Sequence, residues 1–572
     1  MRCRLREALV GLLVAGLLAG CATVPTSGPV RTHDASDQQV NSSVQVAPVP
    51  PADGASEMLV VEGFLHAMGT DQTDYQIARQ YLTPAASEAW HPETGASVYA
   101  DGTLPTETES SVVLLATVVG TLDSGGGYQE LPSQLRHDFG LVKNAQGQWR
   151  ISHPPRGLLI SRYHFTTFYT GVELNFLDRT GVSLVPDPRF FPLRADLPGT
   201  AVRAQLAGAN RWLAPAVRKW DSGTITAERV TLTAKGLLEI SLAASAKSLP
   251  DKERRSLMAE LVQTGVGLPG VTAVRFLADG AVWTLPGAGA TDLTPRDFPG
   301  LSPTADQAPG RLFVSRDDKV HQFDIDVNWS DAVPVAPGLT RPGALAVRGD
   351  LGQIATVSQD GRRVLLSAPA AAASRVVASG SGMLRPDFSR QGELWVLGGA
   401  TRARDFIVLG GSDSHRLEFT VSKLPNASVR AFALSPDGSR MALILRGDDS
   451  DQLGIARVVR TGDAVGLEEF RSLAVFSSIE AGRRLLDVGW TTGTQMLALV
   501  SHPDQALSVV RIDQDAALSE DIGPNEVRGL SELAVVPGRP AVVRGGAGAY
   551  RYEGDFNWKL TLPNVDHVAY SG

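Results

Sequence analysis

The chain has 572 residues, with 53 Lys+Arg against 61 Asp+Glu and a formal charge of −8. An acid-rich surface gains nothing from counterion release, which excludes nucleic acid as a partner class, and two cysteines exclude a disulfide framework or a thiolate metal cluster. With 43% hydrophobic residues there is enough apolar material for several cores.

At the start, Arg2, Arg4 and Arg6 precede an apolar run from Ala8 to Ala19, broken only by Gly11 and Gly16. A spanning helix needs about 20 apolar residues and the core of an export signal roughly 7 to 15, so residues 1–20 read as a signal peptide. Leu18-Ala19-Gly20-Cys21 places small residues before a thiol and resembles a bacterial lipobox. That resemblance implies cleavage between Gly20 and Cys21, S-diacylglycerol and N-acyl groups on Cys21, and a lipid anchor on the extracytoplasmic face of the cell membrane. Cleavage would remove three arginines, one glutamate and Cys3, leaving a net charge of −10 and Cys21 alone. Without a basic segment, attachment would rest on the acyl chains.

Residues 21–55 are rich in Pro, Ser, Thr, Gln and Asp and lack aromatics, the composition of a disordered tether. Residues 56–161 read as an α+β domain. Ser56 is placed to cap a helix carrying Val61, Phe64, Leu65 and Met68 on one face. "DYQIARQYLTPAASEAW" predicts a second helix that stops at Thr83-Pro84. Strand-like runs follow, with a hairpin turn from Asn144 to Gly147. Helices before a curled antiparallel sheet, with "GQWRIS" near its end, resemble the NTF2-like fold.

Residues 162–290 form a second α+β unit. "VELNFLDRTGVSLVPDPRFFP" is a hairpin turning at Asp178 to Gly181, and "GTAVRAQLAGANRWLAPAV" is helical with Val202, Leu206, Ala209 and Leu213 on one side. A hairpin at Lys235-Gly236, a helix from Pro250, and strands either side of Asp279-Gly280 complete it. The order, with Leu184-Val185-Pro186 and "LPGVTAVRFLADG", looks like a GerMN domain.

Residues 311–572 repeat a strand–turn–strand unit, clearest in "FALSPDGSRMALI", with looser copies such as "LRPDFSRQGELWVL" and "VGWTTGTQMLALV". A spacing of roughly 40 to 55 residues is that of propeller blades and predicts about six, with five or seven open. Asp360-Gly361 and Asp437-Gly438 serve hairpin turns that demand positive φ.

Catalytic signals are sparse. Ten histidines are scattered, with no His-Glu-x-x-His helix; His137 and His164 read as sheet-surface or boundary residues rather than ligands. Ser, Asp and His fall together between Gly410 and His415, but in a blade turn rather than a nucleophile elbow. Asp324, Asp326 and Asn328 mimic the start of a calcium loop until Trp329 takes the place of its glycine. They read as the solvent face of a strand. Asp360, Asp437 and Asp487 are candidate channel acids of the kind glycan-cleaving propellers use, with nothing to show that any two converge.

Lipobox, tether, α+β domain, GerMN-like domain and propeller, in this order and length, resemble the LpqB family of actinobacterial lipoproteins. The resemblance implies a non-enzymatic accessory of an MtrA–MtrB-type two-component system. Such a protein would bind the extracytoplasmic domain of an MtrB-like sensor histidine kinase and act in envelope homeostasis and division, with no metal or cofactor. The alternative is a receptor or processing enzyme for peptidoglycan glycan, using the propeller channel or the GerMN cleft.

Overall fold

A computed structural model describes residues 47–69, 73–109, 111–220, 225–287, 289–301, 311–323, 333–411, 413–473, 484–502, 507–517, 519–524 and 527–572. Gly20, Cys21 and the Asp324–Asn328 stretch lie outside the described residues. From Pro48 to Gly572 the chain makes one continuous unit.

The capping reading of Ser56 holds. Its Oγ accepts the Leu59 amide at 3.3 Å, and the helix Glu57–Gly69 buries Val61, Phe64, Leu65 and Met68. The second predicted helix is interrupted. Gln76–Gln80 ends early, and Thr83-Pro84 begins a new helix, Pro84–Ala89, rather than stopping the old one. The Thr83 side chain accepts the Ala86 amide at 3.2 Å, and proline at the first helical position loses no bond it would have made. These helices pack on a sheet of five strands. Val112–Asp123 lies between Gly95–Tyr99 and Tyr128–Asp138, and Leu158–Ser161 joins Gly95–Tyr99 in parallel. The Asn144–Gly147 turn forms as predicted, with Asn144 Oδ1 accepting the amides of Gln146 and Gln148.

The second region starts with a nine-pair hairpin, Tyr169–Leu177 against Leu184–Pro192. Among the described residues the first strand has no further strand beside it, so its outer amides need other partners. Two helices supply them with side chains. Asn175 N donates to Gln205 Oε1 (3.0 Å) and Thr264 Oγ1 (2.9 Å), and Leu177 N donates to Glu260 Oε1 (2.8 Å). Gln205 lies in the helix Leu197–Ala207, which ends earlier than predicted because Gly208 leaves helical space at φ 104°. Ala209 and Leu213 therefore follow the helix, and Leu213 reaches the core from a loop. Thr264 and Glu260 lie in the helix Asp251–Val266, packed on Leu237–Leu242 and its parallel neighbour Ala273–Ala278.

Six antiparallel sheets follow in a ring. Blades II to VI have inner strands Pro342–Val347, Asp387–Phe388, Val429–Leu434, Arg484–Trp490 and Glu532–Ala534. Blade I takes its inner strand, His567–Tyr570, from the far end of the chain, paired with Leu312–Arg316. Neighbouring inner strands touch in succession, and the last meets the first, so the ring is closed. Blade IV carries a fifth strand, Glu418–Ser422, lying parallel to Ala464–Ser472. The repeats thus resolve to six blades.

Candidate functional site

Every inner strand turns one edge of its backbone to the channel, where no further strand can pair with it. Carboxylates fill part of this need by reaching to the next blade. Asp387 Oδ2 accepts the Leu434 amide at 2.8 Å, Asp487 Oδ2 the Leu533 amide at 2.8 Å, and Glu532 Oε2 the Val568 amide at 3.2 Å. Asp451 does the same for Leu485 between blades IV and V, at 3.0 Å. Each acid ties one blade to its neighbour.

Arg385, just before the inner strand of blade III, crosses the channel. Its guanidinium makes two bonds of 2.9 Å to Asp487 in blade V and donates to Leu533 O in blade VI at 2.6 Å. Blades III and VI stand opposite each other in a ring of six, so this side chain spans it. Burial works against the charge on Arg385, but Asp487, Glu532 and Asp387 outweigh it and hold the pKa above its ordinary value. Burial raises Asp487 in spite of Arg385. Burial also pushes Asp387 up to about 6, against the Leu434 amide and Arg385.

A cavity of about 710 Å³ lies in the channel. It extends from Arg385, Asp387 and Leu533 to the turns after the inner strands, including Arg348–Asp350, Arg390 and Pro537. Val182, at the tip of the first hairpin of the GerMN-like region, lines it as well. Asp178 shapes that tip: its Oδ1 accepts the amides of Val182 and Ser183, and its Oδ2 accepts the Thr180 hydroxyl.

The hairpin is held there by a largely buried junction. Fully buried Arg440 pairs with Asp437 at 2.5 Å and donates to Pro186 O at 2.9 Å. Arg457 donates to Trp212 O at 2.7 Å, and the Trp212 indole donates to Glu469 O at 2.8 Å. Gln391 donates to Asp178 Oδ2 at 3.2 Å and Arg390 to Gly300 O at 2.9 Å. One apolar cluster runs from Val185 and Leu213 to Ala433, Ile455, Trp490 and Met496 of blades IV and V. The GerMN-like region and the ring therefore share a core.

The three candidate acids do not converge. Asp360 sits on an exposed hairpin turn of blade II, bonded to Ser358 and the Arg362 amide. Asp437 is buried in the domain junction, and only Asp487 faces the channel. His137 Nε2 donates to the His153 carbonyl oxygen, and His164 bonds Ser161 beside His66; both rings are held below the ordinary histidine range by burial. His415 pairs with Asp413 at 3.0 Å on an exposed turn, Ser414 Oγ accepts from Arg375 at 2.6 Å, and Ser412 lies outside the described residues. Among the described residues, no group of three His, Cys, Asp or Glu side chains could hold a metal, and no helix is long and apolar enough to cross a membrane. The channel residues that sequence reasoning missed are Arg385, Asp387 and Glu532. A signal exists in "LRPDFS", "RLLDVGW" and "SELAVV", each an acid set inside an otherwise apolar inner strand or just before its apolar residues.

Three family models match the chain: the LpqB lipoprotein N-terminal domain over residues 50–166, the sporulation and spore germination (Germane) family over 173–282, and the LpqB lipoprotein beta-propeller domain over 325–559. Lipoprotein LpqB of Cutibacterium acnes is 32% identical, with 97% of each chain covered. Lipoprotein LpqB of Thermobifida fusca is 25% identical, with 94% of each covered. Among solved structures, TolB from Acinetobacter baumannii is 17% identical with a TM-score of 0.34, covering 61% of this chain and 82% of its own.

Proposed function

Because this chain belongs to the LpqB lipoprotein family, we propose that acyl groups on Cys21 hold it to the extracytoplasmic face of the cell membrane and that it serves there as an accessory of an MtrA–MtrB-type sensor kinase. Its role is recognition, without catalysis of its own, in envelope homeostasis and division. The observation that supports this best is the use made of the channel charges. Asp487 gives both oxygens to Arg385 and to the Val488 and Leu533 amides, which fills the four acceptor positions of a carboxylate. Chemistry of this kind stiffens a platform instead of cleaving a bond. The shared core between the ring and the GerMN-like region extends that platform, and its loops supply a broad face for a protein partner. A lipid tether adds effective concentration near a membrane receptor.

Crosslinking in intact cells, with kinase output measured alongside, tests this reading. The wild type is expected to recover the kinase's extracytoplasmic domain, and Cys21→Ala to lose both membrane retention and most of its effect on output. Equal regulation by the untethered variant would overturn the tether argument. Saturable binding or cleavage of peptidoglycan fragments, with no kinase recovered, would favour the glycan reading, to which the channel cavity lends its own support.

A further inference from the structure

The two aspartates nearest Arg385 are not used alike. Asp487 is filled by the guanidinium and two amides. Asp387 accepts one amide on each oxygen, from Phe388 at 3.0 Å and Leu434 at 2.8 Å. Half of its acceptor capacity is left over, and no cation stands within ion-pair distance of it among the described residues. Glu532 is served by His567 and the Val568 amide. At this level of the channel, then, Arg385 answers the charge of Asp487, and the charge of Asp387 is without a direct counterion.

Geometry makes this imbalance useful. Arg385 bars the channel by joining blade III to blades V and VI, so the 710 Å³ cavity ends on the side chains around it. Phe388, Trp490 and Tyr570 contribute apolar and aromatic residues to its lining, and Val182 stands at its other end. The arginines near that end are engaged: Arg348 is gripped by Asp350 with two bonds of 2.7 Å, and Arg390 donates to Gly300 O. A recessed carboxylate in a partly apolar pocket attracts a cation more strongly than one in open water, because less solvent screens it.

We propose that the propeller cavity is a binding site for a small organic molecule carrying a primary ammonium group, with Asp387 as its counterion. The ammonium offers three donors to the unused acceptor positions of Asp387, and the ligand's carbon skeleton lies along the apolar wall. This assignment stands apart from the kinase reading, since it concerns the interior of the ring and not its outer face.

Isothermal titration of the full chain with three five-carbon probes tests it: 1,5-diaminopentane, 1,5-pentanediol and glutarate. The diamine is expected to bind one saturable site, and the diol and diacid to give none. Asp387→Asn keeps an oxygen for the Leu434 amide and should fold, yet weaken the diamine by roughly tenfold or more, the scale of a lost hydrogen bond to a charged group. Should that variant fail to fold, Val182→Trp on the exposed hairpin tip narrows the entrance and is expected to slow diamine association. Equal diamine affinity in a folded Asp387→Asn chain, preference for glutarate or the diol, or no saturable diamine binding by the wild type would each overturn the proposal. So would unchanged association in the Val182→Trp chain.

Discussion

Glu260 offers a sharp test of how the GerMN-like region is held together. Its carboxyl is fully buried in the helix Asp251–Val266 and accepts from the Leu177 amide at 2.8 Å and the Trp220 indole at 2.6 Å. Burial raises its pKa from 4.5 to about 7 in spite of those bonds. A carboxyl whose folded pKa stands above its unfolded one binds more protons folded than unfolded, so its ionisation weakens the fold. The weakening starts as pH rises past about 4.5 and is complete above about 7. Between pH 5 and pH 8 it amounts to about 2–3 kcal/mol. Glu260→Gln removes the titration, at the cost of facing one buried N–H with an amide N–H, about 1–3 kcal/mol at any pH. Hydrogen exchange of the strand Tyr169–Leu177, corrected for intrinsic rates, reports the opening free energy of both proteins. The variant is expected to gain about 2–3 kcal/mol on the wild type between pH 5 and pH 8. A gap that stays constant with pH would refute the reasoning.

Other outcomes follow from the ring and its junctions. Asp487→Ala strands the Arg385 charge and frees the Leu533 amide, and should cost about 3–5 kcal/mol, read as a lower propeller transition in calorimetry. Gly493→Val should pry the GerMN-like region from blade V, since a Cβ there would already stand 2.6 Å from Pro186 Cγ; limited proteolysis should then cut between the two while the ring stays intact. Gly126→Ala should loosen the first domain's hairpin tip, because the residue has φ +82° and a Cβ would lie 2.7 Å from Phe190 O. Faster exchange at the Phe190 amide, which now donates to Gly126 O at 2.7 Å, is the measurement.

What could be read from the sequence was local. Gly361 and Gly438 take positive φ in the hairpins where Asp-Gly pairs announced them, and repetition of that unit disclosed the ring. Helix ends were less legible, because Thr83 can close one helix or cap another and only tertiary packing decides. Gln205, Glu260 and Thr264 look like interruptions of apolar faces until the bare strand edge they satisfy is known. Arg385 and Asp487 are 102 residues apart, and no pattern of spacing could join them. The acids in apolar strands were visible as an anomaly, but their meaning required the geometry of neighbouring blades.

Blade I is built from both ends of the repeat region, with the Arg311 amide bonded to Ser571 Oγ across 260 residues. A chain made from its N-terminus onward therefore carries an unfinished first blade while the other five are being made. During that interval Leu312 and Val314, wholly buried in the finished ring, border an open strand edge that a second molecule could occupy. Without the strand His567–Tyr570 the ring would stand open between Leu312–Arg316 and blade VI, as surely as if a whole blade were missing.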